Sequence, residues 1–202
     1  MATLGETLKG FIGNLRAKKY LGVIEGGLPV SKRNWGSYDF LNANDISLYV
    51  NRAVSKRAEK VAEVEWILRD KNGKPIEGRN DLIDLLYKPN KVFNGRQFWA
   101  LAQKYYDLTG EMYILVERER ELFAESKITG LHLLRSDLMT PKYSATGEIE
   151  KYEYKTPSKT YEYEAKDVLY IFNPDPKAPL RGQSLLKAGI AAIQTEIEKH
   201  VP

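Results

Sequence analysis

The sequence predicts an α+β fold in which a mostly antiparallel sheet packs against helices, preceded by an extended N-terminal arm. Three observations carry this reading. Apolar residues recur at helical spacing over 45–62 and again over 94–108. Short runs rich in Tyr, Ile and Val, separated by turn residues, succeed one another from 112 to 172. Residues 1–41 keep neither period and are broken by Gly, Asn and Ser.

Residues 1–41 therefore read as an arm, 42–183 as an α+β domain, and 184–202 as the start of a helix leading out of it. From Asp45 onward, Ile46, Val50, Ala53, Val54, Ala58, Val61 and Ala62 mark one helix face, with Asn44 or Asp45 available as cap. Arg52, Lys56, Arg57, Glu59, Lys60 and Glu63 form its charged, solvated side. The Asn72-Gly73 pair predicts a hairpin turn after residues 64–69, because such a turn needs positive φ angles. Asn80 or Asp81 caps a short, largely buried helix through Leu82, Ile83, Leu85 and Leu86 that Pro89 stops.

Asn94 with Gln97 three residues on is a capping-box pattern. Phe98, Leu101, Ala102, Tyr105 and Leu108 supply the stripe of that helix, and Gly110 its left-handed stop. Strands are expected over 112–117, 131–134, 138–142, 149–155, 160–163 and 168–172. They should form one sheet lying on both long helices, with Trp66, Phe98 and Tyr105 buried between. Three prolines make 173–179 a loop, after which Ser184 opens a helix bearing Leu186, Ile190, Ile193 and Ile197 on one face.

The chemistry available is narrow. There is no cysteine among the 202 residues, which removes disulfides, thiolate metal sites and cysteine nucleophiles, and an intracellular life is the expectation. No apolar run approaches the roughly 20 residues that span a bilayer, and no signal-peptide pattern opens the chain, so no membrane partner is expected. A balance of 31 basic against 27 acidic residues, +4, permits contact with nucleic acid without requiring it. The 13 tyrosines lie mostly on strand-like runs, where sheet packing accounts for them better than base stacking.

His132 sits between apolar neighbours and reads as a packed or hydrogen-bonded strand residue; His200 reads as a solvated helix end. No phosphate loop, nucleophile elbow or zinc-helix motif occurs. Arg181-Gly182-Gln183-Ser184 could hold an anion at a helix start, but a glycine relieving a tight turn is the reading taken. No catalytic, cofactor-binding or metal-ligating residue is assigned, no cofactor is expected, and the chain reads as no enzyme.

The order of these pieces resembles the N-terminal part of the HK97-type tailed-bacteriophage portal protein family, from about Asp45 to about Lys199. The matching pieces are Tyr49-Val50-Asn51-Arg52-Ala53-Val54, the Trp66 strand with its Lys-Asn-Gly-Lys hairpin, and Leu82 through Asn90. Phe98-Trp99, then Leu108-Thr109-Gly110-Glu111-Met112-Tyr113, continue the likeness. Leu131 through Met139, Asp167 through Phe172 and Leu180 through Leu186 complete it, with Ser136 and Leu185 standing where the family usually has proline.

The resemblance implies a wing-like fold and a subunit of a homo-oligomeric ring, usually a dodecamer, at one capsid vertex. It further implies docking to the major capsid protein or scaffold, to terminase and to the head-tail adaptor. Double-stranded DNA would pass through the ring without sequence specificity, the location being the virion and, during assembly, the host cytoplasm. The arm 1–41 and the charged face of the first helix would then contact neighbouring copies. A stand-alone α+β nucleic-acid-binding or scaffold module is the alternative.

Overall fold

The computed structural model describes residues 36–76, 80–119, 127–190 and 192–193. Among the described residues four α-helices are followed by strands: α1 (Ser37–Ile46), α2 (Leu48–Ala62), α3 (Asp81–Tyr87), α4 (Gly95–Thr109), β1 (Glu111–Arg118), β2 (Ile128–Leu134), β3 (Met139–Tyr143), β4 (Ile149–Lys155), β5 (Thr160–Glu164), β6 (Val168–Phe172), β7 (Pro174–Asp175) and β8 (Ala178–Gly182). The α+β class is as expected.

Helix α4 organises the rest because it is apolar on two sides. Phe98 and Ala102 press onto Met112, Ile114, Val116 and Leu131 of the first sheet. On the other side Leu108 meets Val50 and Val54 of α2, Ala43 of α1 and Ile193. The capping box forms as the sequence predicts: Asn94 Oδ1 accepts from the Gln97 amide at 2.9 Å, and Gln97 Oε1 accepts from the Asn94 amide at 3.2 Å. Gly110, at φ 77°, turns the chain directly into β1.

The single sheet expected over 112–172 is instead two antiparallel three-stranded sheets, ordered β2-β1-β6 and β3-β4-β5. The chain leaves β2 through a 3-10 turn, Ser136–Leu138, which carries β3 out of register with the first sheet. The second sheet then packs on the face of β1 turned away from α4, where Tyr113, Leu134, Met139, Tyr152 and Val168 share one cluster. Strand alternation makes this possible: even-numbered residues of β1 serve α4, odd-numbered ones the second sheet. Accordingly α2 lies on α4 rather than on a sheet.

Further differences have local causes. The first helical segment begins at Ser37, not Asp45, so it crosses the arm boundary set at residue 41; Phe40 and Ala43 are buried beneath it. Asn44 and Asp45 are inside α1, and Ser47 caps α2 by accepting from the Val50 amide at 3.3 Å. Helix α3 is capped by Asn80, as expected, but buries no residue fully. The hairpin after residue 64 amounts to one bridge, Arg69 to Pro75, so Trp66 has no sheet to cover it and remains 39% exposed. Phe98 is fully buried and Tyr105 partly so.

Residues 173–179 contribute to a two-stranded ribbon, β7-β8, rather than a plain loop; their prolines are tolerated because no further strand needs their missing amides. After Ser184 come a turn and a 3-10 segment, Lys187–Gly189, before helical residues resume at Ile190. Leu186 and Ile193 pack as their spacing predicts, while Ile197 and His200 lie outside the described residues. Residues 1–35 lie outside them too.

Candidate functional site

The most elaborated cluster of polar groups surrounds Glu111, at the start of β1 and 1% exposed. Its carboxylate accepts from Tyr113 Oη at 2.9 Å, Tyr170 Oη at 2.8 Å, Arg181 Nε at 2.8 Å and the Gly182 amide at 2.8 Å. Tyr113 and Tyr170 stack with ring centroids 4.7 Å apart, and Tyr152 meets both edge-on. Burial pushes the Tyr113 and Tyr170 phenols well above their ordinary range, with the neighbouring Glu111 charge adding to it. Burial pushes Tyr152 up to about 12. Burial works against the Arg181 charge, but the Glu111 carboxylate outweighs it and holds the guanidinium above its ordinary value.

This arrangement decides the reading of Arg181-Gly182-Gln183-Ser184. The arginine is committed to Glu111, and a Cβ on Gly182 would stand 2.2 Å from the Gly110 carbonyl oxygen. Gly110 in turn has Gln183 backbone 2.3 Å from its own Cβ position. The two glycines let the segment after β8 lie against the α4–β1 corner, and Asn173 completes the seam by donating to the Gly110 carbonyl at 2.8 Å. The cluster is a clamp joining β1, β6 and β8, in which two tyrosine hydroxyls, the Arg181 guanidinium and the Gly182 amide all donate to Glu111.

Asp107, on α4, plays a similar part between helices. Its carboxylate accepts from Arg57 Nε at 2.9 Å and Gln103 Nε2 at 2.8 Å. Arg57 therefore turns from the charged side of α2 toward α4. Along that side Lys60 pairs with Glu63 at 2.7 Å and Lys56 with Glu59 at 3.9 Å, and Arg96 reaches Glu63 at 3.2 Å.

His132 is hydrogen-bonded, as expected, with Nε2 2.8 Å from Glu117 Oε2 on the neighbouring strand. The pair borders an open cleft of about 570 Å³ between the two sheets, lined also by Arg118, Tyr163, Glu164, Lys166 and Asp167. Arg118 and Asp167 face each other at 3.4 Å. Among the described residues no three His, Asp or Glu side chains converge where they could hold a metal ion. No described helix is long and apolar enough to cross a membrane.

Neither Glu111 nor Asp107 stands out in the sequence as a buried charge. Their partners, Arg181 and Arg57, are distant in sequence, so no local pattern marks either pair.

No curated protein matches the chain. Among solved structures, one from the virion of a native gene transfer agent particle superposes with a TM-score of 0.71 at 19% identity, covering 93% of this chain and 48% of that one. Another, from the neck of a native gene transfer agent particle computed with C12 symmetry, gives 0.68 at 20% identity, covering 92% and 47%. The likeness is one of fold, and this chain spans about half the length of those it matches. The sequence model of the phage portal protein family matches residues 49–200, which takes in every element from α2 onward. The chain belongs to the phage portal protein family.

Proposed function

We propose that the chain is a structural, non-enzymatic subunit, or the N-terminal part of one, of an HK97-type portal ring at a capsid vertex. The observation that carries the reading is the family match over residues 49–200, joined to a fold shared with chains of gene transfer agent particles, one of them from a neck computed with C12 symmetry. The chemistry of the chain supports it. Its buried carboxylates, Glu111 and Asp107, are each held by an arginine, Arg181 and Arg57, that ties one element to another, as suits a building block.

Copies of the subunit form a homo-oligomeric ring through which double-stranded DNA enters and leaves without sequence-specific contacts. The ring docks the capsid protein or scaffold, the terminase and the head-tail adaptor. It resides in the virion and, during assembly, in the host cytoplasm. The residues before α1 act as an arm against neighbouring copies, those from Ser37 to 183 as the wing-like domain, and 184–202 lead toward the channel-forming part.

Co-production with the capsid protein of the same genome tests this. The chain should be recovered in particles at a low, fixed copy number set by one ring. A copy number scaling with the capsid protein, or exclusion from particles, contradicts the proposal.

A further inference from the structure

Beyond β8 the chain stays fastened to the domain. The Gln183 amide donates to the Asn173 carbonyl at 2.7 Å, and the Asn173 side-chain amide donates back to the Gln183 carbonyl at 2.9 Å. Ser184 is buried, and its hydroxyl oxygen accepts from the Leu186 amide at 3.0 Å. The Leu185 amide donates to the Asp107 carbonyl at 3.1 Å, and Lys187 Nζ reaches Asp175 Oδ2 at 2.6 Å. Leu186 and Ile193 then pack among Ala43, Val50, Val54 and Leu108. Connecting segments are ordinarily the loosest parts of a domain. This one is held by bonds to α4, to Asn173 and to β7, and by apolar contact with α1 and α2.

Asp107 is the node of the fastening. Its backbone carbonyl holds Leu185, while its carboxylate accepts from Arg57 Nε at 2.9 Å and from Gln103 Nε2 at 2.8 Å. Gln103 lies on the same helix and is neutral, so Arg57 brings both the compensating charge and the tie to a second element. Arg57 stands one turn beyond Val54, which meets Leu108 and Ile193 in the shared cluster. The two side chains differ in exposure, 59% for Arg57 against 2% for Asp107. Removing the arginine therefore gives up little packing but leaves a desolvated carboxylate facing one neutral donor. Such a group draws in water or a proton, and the end of α4, on which Leu185 and Ile193 rest, loosens to admit either.

We propose that Arg57 is a positioning residue for the segment after β8. Through Asp107 it locks residues 183–190 onto α4 and so fixes the direction in which the chain leaves the domain. The use of a fixed direction rests on the ring reading above, since copies arranged about one axis all send this segment the same way. The lock itself belongs to the single chain and is tested there.

The absence of cysteine lets spin labels be placed singly or in pairs. The full chain carries Glu150→Cys, exposed on β4, with Ala192→Cys, exposed after the segment. A control pair joins Glu150→Cys to Arg52→Cys, exposed on α2. Dilution with unlabelled protein restricts the reading to distances within one copy, and a urea midpoint for each variant checks that it is folded. The wild type should give a narrow distance distribution for both pairs. Arg57→Gln should broaden the Glu150–Ala192 distribution about twofold and speed exchange of the Leu185 amide about tenfold, as local release requires, with the control pair still narrow. Arg57→Lys, which keeps the charge, should recover part of both effects. A broad Glu150–Ala192 distribution in the wild type overturns the lock. So does an Arg57→Gln chain that keeps the narrow distribution and slow Leu185 exchange. Equal broadening of both pairs overturns the positioning role, because Arg57 then acts only on the packing of α2. Each of these failures leaves the ring reading in place, which is decided by copy number in particles.

Discussion

Glu111 shows how much of this fold hangs on a single buried charge. Removing one partner of such a pair leaves the other desolvated and unmatched, a loss of roughly 3–5 kcal/mol. Arg181→Met should therefore lower the urea midpoint severely, and Glu111→Gln less so, because the Arg181 side chain is 38% exposed and keeps water when its partner is neutralised; a change within about 0.5 kcal/mol for Arg181→Met, the range of ordinary surface substitutions, would show that the clamp is dispensable. The tyrosines around it set an alkaline limit. Their folded-state phenols titrate above the ordinary value, so the stabilisation from keeping them neutral is complete below the unfolded value near 10. As pH rises beyond that, the unfolded state gains by ionising and stability falls. Denaturation followed from pH 8 to 12 should show that decline, and Tyr170→Phe should flatten it; a profile unchanged by the substitution would contradict the assignment. None of this was legible locally, because Glu111 and Arg181 meet only once β1, β6 and β8 are assembled. His132 was legible in kind, a hydrogen-bonded strand residue, but its partner Glu117 depended on the strand register.

At the scale of elements, the parts written in local chemistry came through. The Asn94–Gln97 capping box, the Gly110 stop, the Asn80 cap and strands β4 and β6 sit where side-chain type and period put them. What failed was settled by distant packing. Helix α1 has few apolar residues and no strong period, and it is held because Phe40 and Ala43 find α2 and α4 beneath them. The separation of the strands into two sheets follows from the 3-10 turn at Ser136–Leu138, whose neighbouring strands look continuous in sequence. Trp66 and Phe98 illustrate the contrast: similar in character, one ends in a groove and the other in the core. Phe98→Ala should cost about 3–5 kcal/mol of stability, whereas Trp66→Ala should cost well under half of that in chemical denaturation, because Trp66 is 39% exposed. Equal losses would mean that Trp66 belongs to the core of the monomer.

At the scale of the molecule, the described residues stack in four layers, helices α1 and α2 on α4, α4 on the first sheet and the first sheet on the second, and the function proposed for them works by position rather than by turnover. The purified chain should show no hydrolase, transferase or nuclease activity; turnover of ATP or nucleic acid that copurifies with the wild type and disappears in His132→Ala would contradict that. Family membership was readable from the sequence because short ordered pieces from Tyr49 to Leu186 recur in the family's order, even where proline is replaced at Ser136 and Leu185. The exposure of Ile46 and Trp66 was not, since both look in sequence like ordinary core residues. Single-particle cryo-electron microscopy of the associated protein tests the central claim most directly. The expected result is particles with one rotational symmetry about an open channel. Isolated monomers, two-fold dimers or particles without a channel would contradict it.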